Sequence, residues 1–474
     1  MFKNNFSKLT AFLLFVVVLL LLLRFFLLGS IVPLMDKTES RYAEIARLMV
    51  ETNDWLALYV DYDFPFWAKP PLSTWLTALS FKTFGINEFW ARFPSYMVHV
   101  LLLLILGLKT KKMGTPFWLP AFILLTTPEF LLHTGVVSTD TFLGFCVVLA
   151  MLSFWEAMHK DRVTIWNYLF FIMLGLGLLA KGPLIFVFTI PVITSWMIIH
   201  KIKLQILLKK FPWAIGSLLI LLIAFPWYIL MEQRSPGFLN YFIIGEHFER
   251  FLYPTWGGDL YGQPKSFPPG MIWIFLMLFA FPWVQFVLYK CWTLKKTIFS
   301  DKWISYLVLW FIWIPLFFTF SNNINHTYIL PAAVPIALLA IQWWKDIKNR
   351  KTWLAIASVL PMLVVIGTVF LLLYPKASFY MNTDKYLIKH IKEEAKNDEI
   401  KLFYWEFKSY SGQFYLGQKT YAVGDETALD SILQKQNKIQ IFIPNKKLAD
   451  FPKQFKARLK LMDSNYRTSV YLLK

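Results

Sequence analysis

Residues 94–112 read PSYMVHVLLLLILGLKTKK. The run from Pro94 to Lys109 is almost wholly apolar, close to the ~20 residues that carry a helix across the ~30 Å hydrocarbon core of a bilayer. It stops on Lys109, Lys111 and Lys112, cations that lipid excludes and that mark a cytoplasmic end. Ten further apolar runs lie near residues 9–31, 116–133, 138–158, 165–180, 183–200, 212–231, 270–290, 303–320, 328–344 and 352–374. The pattern predicts a polytopic α-helical membrane protein with about eleven transmembrane helices. Composition agrees: of 474 residues 57% are hydrophobic and 16% charged, against about 45–50% and about 25% in soluble domains. An ordinary globular enzyme and a disordered polymer are both excluded. Cys146 and Cys291, the two cysteines, form neither a disulfide framework nor a zinc spacing.

The charge of +19 is explained by where the cations fall. With the N-terminus inside, the inside connections carry Lys3 and Lys8; Lys109, Lys111 and Lys112; Lys160 and Arg162; Lys201, Lys203, Lys209 and Lys210; Lys290, Lys295, Lys296 and Lys302; and Lys345, Lys348, Arg350 and Lys351. The short opposite connections 134–137 and 321–327 carry none, and 181–182 carries Lys181 alone. This alternation follows the positive-inside rule and would fail if one span were missed. Nineteen of the 48 basic residues therefore orient the chain, and no nucleic-acid partner is expected. The first run is too long for a secretory signal and lacks its small-residue cleavage site, so it is expected to stay as an anchor.

Three long segments then face the exterior: 32–93, 232–269 and 375–474. The last has β-like runs at Leu402–Phe407 and Lys438–Pro444 and a predicted helix from Asp384 to Ala395. The chain is expected to divide into a membrane domain, 1–375, and a small exterior α/β domain, 376–474. Ionisable residues are scarce at mid-span; Arg24 and Glu156 sit near span ends, where long side chains snorkel. A transporter of polar solutes tends to carry them deeper, so chemistry is expected at the outer membrane–water boundary, in the loops 32–93 and 232–269.

The first of these opens MDKTESRYAEIAR over residues 35–47. Tyr42, Ile45, Ala46, Leu48 and Met49 recur at helical spacing, which predicts an amphipathic helix lying on the membrane surface. Asp36, three residues before Glu39, is the expected N-cap, and a capped carboxylate at the mouth of a cleft is also placed to act as a base. Farther on, DYDFPFWAKPPL spans residues 61–72. Pro70 and Pro71 fix the backbone and aim the Lys69 ammonium, which suits a phosphate at headgroup depth or equally an interfacial lysine among aromatic anchors.

Several ordered motifs within residues 30–340 resemble polyprenyl-phosphate-dependent glycosyltransferases of the GT-C type, in particular the aminoarabinose transferases acting on lipid A within the protein mannosyltransferase superfamily. They are Asp36-x-x-Glu39-x-Arg41-Tyr42-Ala43-Glu44-Ile45-Ala46-Arg47; Lys69-Pro70-Pro71-Leu72-x-x-Trp75-Leu76; Phe84-Gly85 to Arg92-Phe93-Pro94; Ser138-Thr139-Asp140; Ala180-Lys181-Gly182-Pro183; Gly245-Glu246-His247-Phe248-x-Arg250-Phe251; and His326-Thr327-Tyr328-Ile329-Leu330-Pro331. All fall on the exterior side of the topology that charge alone defines.

The resemblance implies a multi-pass protein of the bacterial inner membrane. Its implied donor is a sugar on an undecaprenyl-type phosphate and its acceptor an exported lipid or glycan, with membrane lipids as surroundings. It implies Asp36 as general base, with Glu39 as the alternative; Lys69 and Arg250 holding the phosphate, helped by Tyr328; and Arg41, Asp140 and His247 shaping the same substrate cleft. Asp140 could otherwise cap its span, Arg250 be a surface cation and Tyr328 a belt aromatic. A lipid-linked glycan flippase without bond-forming chemistry is the alternative function. Relatives usually carry an acidic residue before Lys-Pro-Pro, where this chain has Ala68. Glu246 and His247 alone make no metal set, so no cofactor or divalent cation is expected to be required. Asp36→Asn is expected to abolish transfer while leaving the protein folded.

Overall fold

The computed structural model describes residues 2–29, 31–253, 256–262, 267–347, 349–395, 401–436 and 439–473; Lys348 and Lys438 of the segments above lie outside these. Helix occupies each of the eleven apolar runs. In chain order the helices are α1 (Phe2–Phe26), α2 (Thr38–Thr52), α3 (Leu72–Phe84), α4 (Glu88–Lys112), α5 (Leu119–Leu125), α6 (Pro128–His133), α7 (Thr139–Met158), α8 (Ile165–Lys181) and α9 (Leu184–Ile199). They continue with α10 (Leu204–Lys210), α11 (Trp213–Arg234), α12 (Arg250–Leu252), α13 (Met271–Phe279), α14 (Trp283–Thr293), α15 (Lys302–Phe318), α16 (Leu330–Gln342) and α17 (Arg350–Leu373).

Among the described residues α4, α7, α11 and residues Thr352–Leu373 of α17 are long and apolar enough to cross a bilayer unaided; α13 and α14 reach that length and apolarity only together, with a bend of 107° between them. Prolines account for the breaks: Pro128 opens α6 just after α5 ends, and Pro282 sits in the turn before α14. The α7 helix is buried along most of its length and forms the bundle's centre. Its opposite is α17, whose Val359, Met362, Leu363, Ile366 and Phe370 are exposed, as a lipid-facing helix requires.

The basic connections meet at one end of the bundle. Lys109 pairs with Glu156 at 2.5 Å and Lys290 with Asp346 at 2.7 Å; Lys210 donates to the Lys160 carbonyl at 2.6 Å and the Trp196 indole to that of Lys302 at 2.8 Å. The motif-bearing segments gather at the other end.

There α2 departs from the sequence expectation in two ways. It does not lie on the membrane surface: Ser40 and every residue from Tyr42 to Met49 are buried. Ala43, Ile45, Ala46 and Met49 enter the main core, and the face expected to be wet buries Glu44 and Arg47 as an ion pair, with both Nε and Nη2 of Arg47 on the carboxylate, at 2.7 and 2.8 Å. Burial pushes the Glu44 carboxyl above its ordinary range against the pull of Arg47. Asp36 is also not the N-cap; Lys37 holds that position, without a side-chain cap bond.

What covers α2 is the C-terminal layer. It contains α18 (Lys385–Ala395), α19 (Tyr410–Leu416), α20 (Glu426–Lys435) and α21 (Lys453–Lys456), with strands numbered after the hairpin β1 (Tyr59–Asp61) and β2 (Phe64–Pro65). Strands β3 (Leu402–Trp405), β4 (Tyr421–Val423), β5 (Ile439–Pro444), β6 (Leu459–Ser464) and β7 (Thr468–Leu473) form one sheet in the order β4-β3-β5-β7-β6. Strand β3 runs parallel to β4 and β5, and β7 antiparallel to β5 and β6. The predicted runs are two of its strands; the β6–β7 hairpin, with less regular alternation, was not foreseen. Gln413 of α19 donates to Glu44 at 2.7 Å and Arg47 to the Gly417 carbonyl at 3.2 Å. Lys408 and Lys419 pair with Asp61 and Asp63 of the β1–β2 hairpin segment. Layer and bundle are thus joined by polar contacts that are mostly sheltered from solvent, where each is stronger than it would be in water.

Candidate active site

Between one end of the helix bundle and the C-terminal layer lies a cavity of about 640 Å³. Asp36, Glu39, Arg41, Lys69, Asp140, His247, Arg250 and Tyr328, the whole set chosen from sequence, line it. They come from α2, the loop before α3, the first turn of α7, the segment before α13 and the turn before α16.

One wall is built around Glu246, whose side chain is 3% exposed. Lys69 Nζ lies 2.8 Å from its Oε2, and Arg250 Nη1 lies 2.9 and 3.0 Å from its two oxygens. Burial alone would raise the Glu246 carboxyl, but Lys69 and Arg250 outweigh it and hold it at about 2. The segment Asn240–Glu249 is a π-helix, a wide turn frequent at functional sites, and it runs directly into α12, which starts at Arg250. Glu246 and Arg250 therefore share one face and reach back to Lys69. Arg250 also approaches Asp259, at 3.6 Å. Lys69 and Arg250 thus form a pair of cations at the cavity, joined by the Glu246 carboxylate that lines it with them.

His247 is a strut. Its Nδ1 faces the Phe242 carbonyl at 2.7 Å and its Nε2 that of Lys181 at 3.2 Å. Burial lowers its pKa against the pull of the two carbonyls. The approach is close enough that Gly182, with φ of 74°, has no room for a Cβ, which would meet the Phe242 ring at 2.6 Å. Among the described residues no three His, Cys, Asp or Glu side chains gather as a metal set.

Lys181 is a cavity cation that sequence reading quoted in a motif without assigning a role. Its ammonium pairs with Asp140 and lies 4.5 Å from the centre of the Tyr328 ring, a cation–π contact. The capping alternative for Asp140 is not what forms: Ser138 caps α7, accepting from the Asp140 backbone N–H at 3.1 Å. His326, from the same motif as Tyr328, turns instead to Glu129 at 2.8 Å. Arg41 donates to the Tyr261 carbonyl at 3.0 Å and lies within 6 Å of the rings of Tyr42, Phe66 and Tyr410. Among the described residues it has no carboxylate partner, and its Nε is buried without an acceptor.

The two candidate bases differ sharply. Glu39 is held in a fork by Arg92, whose Nε and Nη2 reach its two oxygens at 2.8 and 2.7 Å. Bidentate pairing of this kind occupies a carboxylate, and here it ties α2 to α4. The Asp36 side chain, 2% exposed, accepts from five donors. Ser40 Oγ and Ser411 N–H serve Oδ1 at 2.5 and 2.9 Å; Ser409 Oγ, Ser411 Oγ and Arg467 Nη2 serve Oδ2 at 2.8, 2.9 and 3.0 Å. Three of these are hydroxyl rotors, which can yield a lone pair to an incoming hydroxyl. Ser409, Ser411 and Arg467 belong to the C-terminal layer, as does Asn382, which contacts the Asp36 backbone on both sides. No motif pointed to them; they lie more than 340 positions from Asp36 in sequence.

Comparison with known proteins adds the following. The family model described as dolichyl-phosphate-mannose-protein mannosyltransferase matches residues 7–242. An undecaprenyl phosphate-alpha-4-amino-4-deoxy-L-arabinose arabinosyl transferase of Wigglesworthia glossinidia brevipalpis is 28% identical over 379 residues, 75% of this chain and 64% of its own length. That of Aeromonas hydrophila is 30% identical over 338 residues, 67% of this chain and 58% of its own. The chain thus spans less than two thirds of these relatives. The crystal structure of ArnT from Cupriavidus metallidurans bound to undecaprenyl phosphate covers 98% of both chains with a TM-score of 0.75 at 17% identity. The fold is the GT-C membrane fold, and the chain is similar to the protein mannosyltransferases and aminoarabinose transferases.

Proposed function

We propose that the chain is an integral membrane glycosyltransferase that moves a sugar from an undecaprenyl-type phosphate to an exported lipid or glycan. It works in the bacterial inner membrane, with the N-terminus cytoplasmic and the cavity and C-terminal layer on the outer side. The observation that carries this reading is the Lys69–Glu246–Arg250 cluster: two cations fixed by one buried carboxylate at the wall of a cavity that Phe251, Phe317 and Phe318 also line. That combination suits a phosphate joined to an apolar chain. In the step, the acceptor oxygen bonds to the anomeric carbon as the carbon–oxygen bond to the phosphate breaks. The acceptor proton passes to Asp36, the hydroxyl replacing one of its serine donors. The polyprenyl phosphate leaves with its charge held by Lys69 and Arg250. Tyr328 and Asp140 fix Lys181 beside it, and Arg41 and His247 shape the space for the sugar.

Proteoliposomes holding the protein, a labelled undecaprenyl-phosphate sugar and an envelope-lipid extract test the reading. Label is expected in a new glycolipid, with free undecaprenyl phosphate released in equal amount. Label crossing the bilayer on an intact donor would establish the flippase instead. The proposed chemistry needs no metal: after exhaustive chelation the rate is expected to stay within about twofold. Loss of activity that one divalent ion restores would refute this.

A further inference from the structure

Helix α18 presents Lys385, Lys389 and Lys392 at positions i, i+4 and i+7, so three ammonium groups run along one face. Leu387, Ile388 and Ile391 fill the core beneath them. Between this face and Tyr415, near the end of α19, lies a slot of about 320 Å³ that Ile388 and Glu393 also line.

Its depth is set by its neighbours. Lys385 Nζ lies 2.5 Å from Glu88 Oε1, and the Tyr415 hydroxyl donates to the same oxygen at 2.7 Å. Glu88 is the first residue of the membrane-crossing α4. Around that helix start Phe84 stacks on Trp90 with centroids 4.2 Å apart, and Phe89 packs on Phe25 at 5.2 Å. Aromatic residues of this kind collect at headgroup level. The exposed Phe84 and Ile86 extend the girdle, and the lysine face stands one ion pair away from it.

Two of the three charges are available there. Lys389 is 71% exposed and reaches Glu393 only at 3.8 Å, with both groups in solvent, a pair worth little. Lys392 donates to the Tyr415 carbonyl at 2.8 Å and has no carboxylate partner among the described residues. The slot is also close to the catalytic cavity. Asn382, which lines that cavity, is three residues from Lys385, a separation of about 10 Å at most along an extended backbone.

We propose that this slot binds the phosphate-bearing headgroup of an anionic lipid of the outer leaflet, and that it docks the lipid acceptor beside the cavity. Lipid binding stands on the slot alone; the acceptor role rests on the transferase reading.

Full-length protein is titrated with phosphatidylglycerol or phosphatidylcholine and the bound lipid counted by native mass spectrometry. Phosphatidylglycerol is expected to bind at least tenfold more tightly than phosphatidylcholine. Lys389→Gln with Lys392→Gln removes that preference, whereas Lys435→Gln with Lys460→Gln, two exposed lysines elsewhere on the same layer, keeps it. Unfolding midpoints show that both pairs remain folded. Equal retention by the two double variants overturns the site, and displacement by equimolar inorganic phosphate would make it a free-anion site. In the transfer assay the Lys389/Lys392 pair is expected to raise KM for the lipid acceptor with kcat unchanged; an unchanged KM overturns the docking role. A wild-type protein without transfer activity would refute the transferase reading and leave the binding result standing.

Discussion

Lys69→Ala lowers the transfer rate by about 10²–10³-fold, and Arg250→Ala by as much; this is the expected result for removing one charged donor from a developing oxyanion in a sheltered site. The measurement is turnover of an undecaprenyl-phosphate sugar in proteoliposomes at saturating donor. The double variant is expected to be little worse than either single one, because both cations act on the same phosphate as a unit. Glu246→Gln supplies the control that separates placement from charge. Glu246 pairs with both cations, at 2.8 to 3.0 Å, so its loss leaves two like charges without the group that joins them. It is expected to slow turnover by about tenfold or more even though the carboxylate itself would repel a phosphate. A Glu246→Gln enzyme faster than wild type would mean that the carboxylate only weakens donor binding, and normal rates for Lys69→Ala would remove the phosphate site from this wall.

The bundle was legible because lipid leaves so little freedom. A span must be apolar for its length and its ends must sort by charge, so runs such as 94–109 and clusters such as Lys109, Lys111 and Lys112 state their positions directly. The cavity's residue types were legible for a different reason. Lys69 before two prolines and Arg250 four residues after Glu246 sit in local patterns that fix a side chain's direction. What could not be read were partnerships across long sequence distance. Nothing local distinguishes Glu39, which Arg92 claims from 53 positions away, from Asp36, four of whose five donors arrive from 373 to 431 positions away. The burial of α2 was hidden for the same reason. Its Glu44–Arg47 spacing reads as a solvated helix pair, and only the arrival of Gln413 and Gly417 turns it into an interior one.

The second large effect concerns Asp36, and the structure changes how it must be tested. Asparagine at this position is not silent for folding: in either orientation its NH₂ faces N–H or O–H donors, from Ser40 and Ser411 on one side or from Ser409, Ser411 and Arg467 on the other. Lost activity in Asp36→Asn alone would therefore fit a base or an anchor equally well. Arg467 separates the two. It bridges Asp36 and Asp384 at 3.0 and 3.3 Å, and burial raises the Asp384 carboxyl against the charge of Arg467, with Asp36 adding to the rise. Asp384 lies the farther of the two from the guanidinium, and Arg467→Gln loosens Asp36 while leaving its carboxylate in place. If Asp36 takes the acceptor proton, Asp36→Asn costs about 10²–10⁴-fold in turnover, Arg467→Gln about tenfold or less, and Arg467→Lys less again. If Asp36 only latches the C-terminal layer onto α2, the two single variants lose equal activity, the double loses no more, and unfolding midpoints fall in step with turnover. The first pattern is the one expected. A serine hydroxyl can turn aside for a substrate hydroxyl at small cost, and three of the five donors to Asp36 are serine hydroxyls, whereas Glu39 is forked by Arg92, Glu246 is held by two cations, and Asp140 pairs with Lys181, its hydroxyl donors Ser138 and Thr327 lying at 3.4 and 3.3 Å. On this view the C-terminal layer is a working part of the site, holding Asp36 with donors that can give way one at a time.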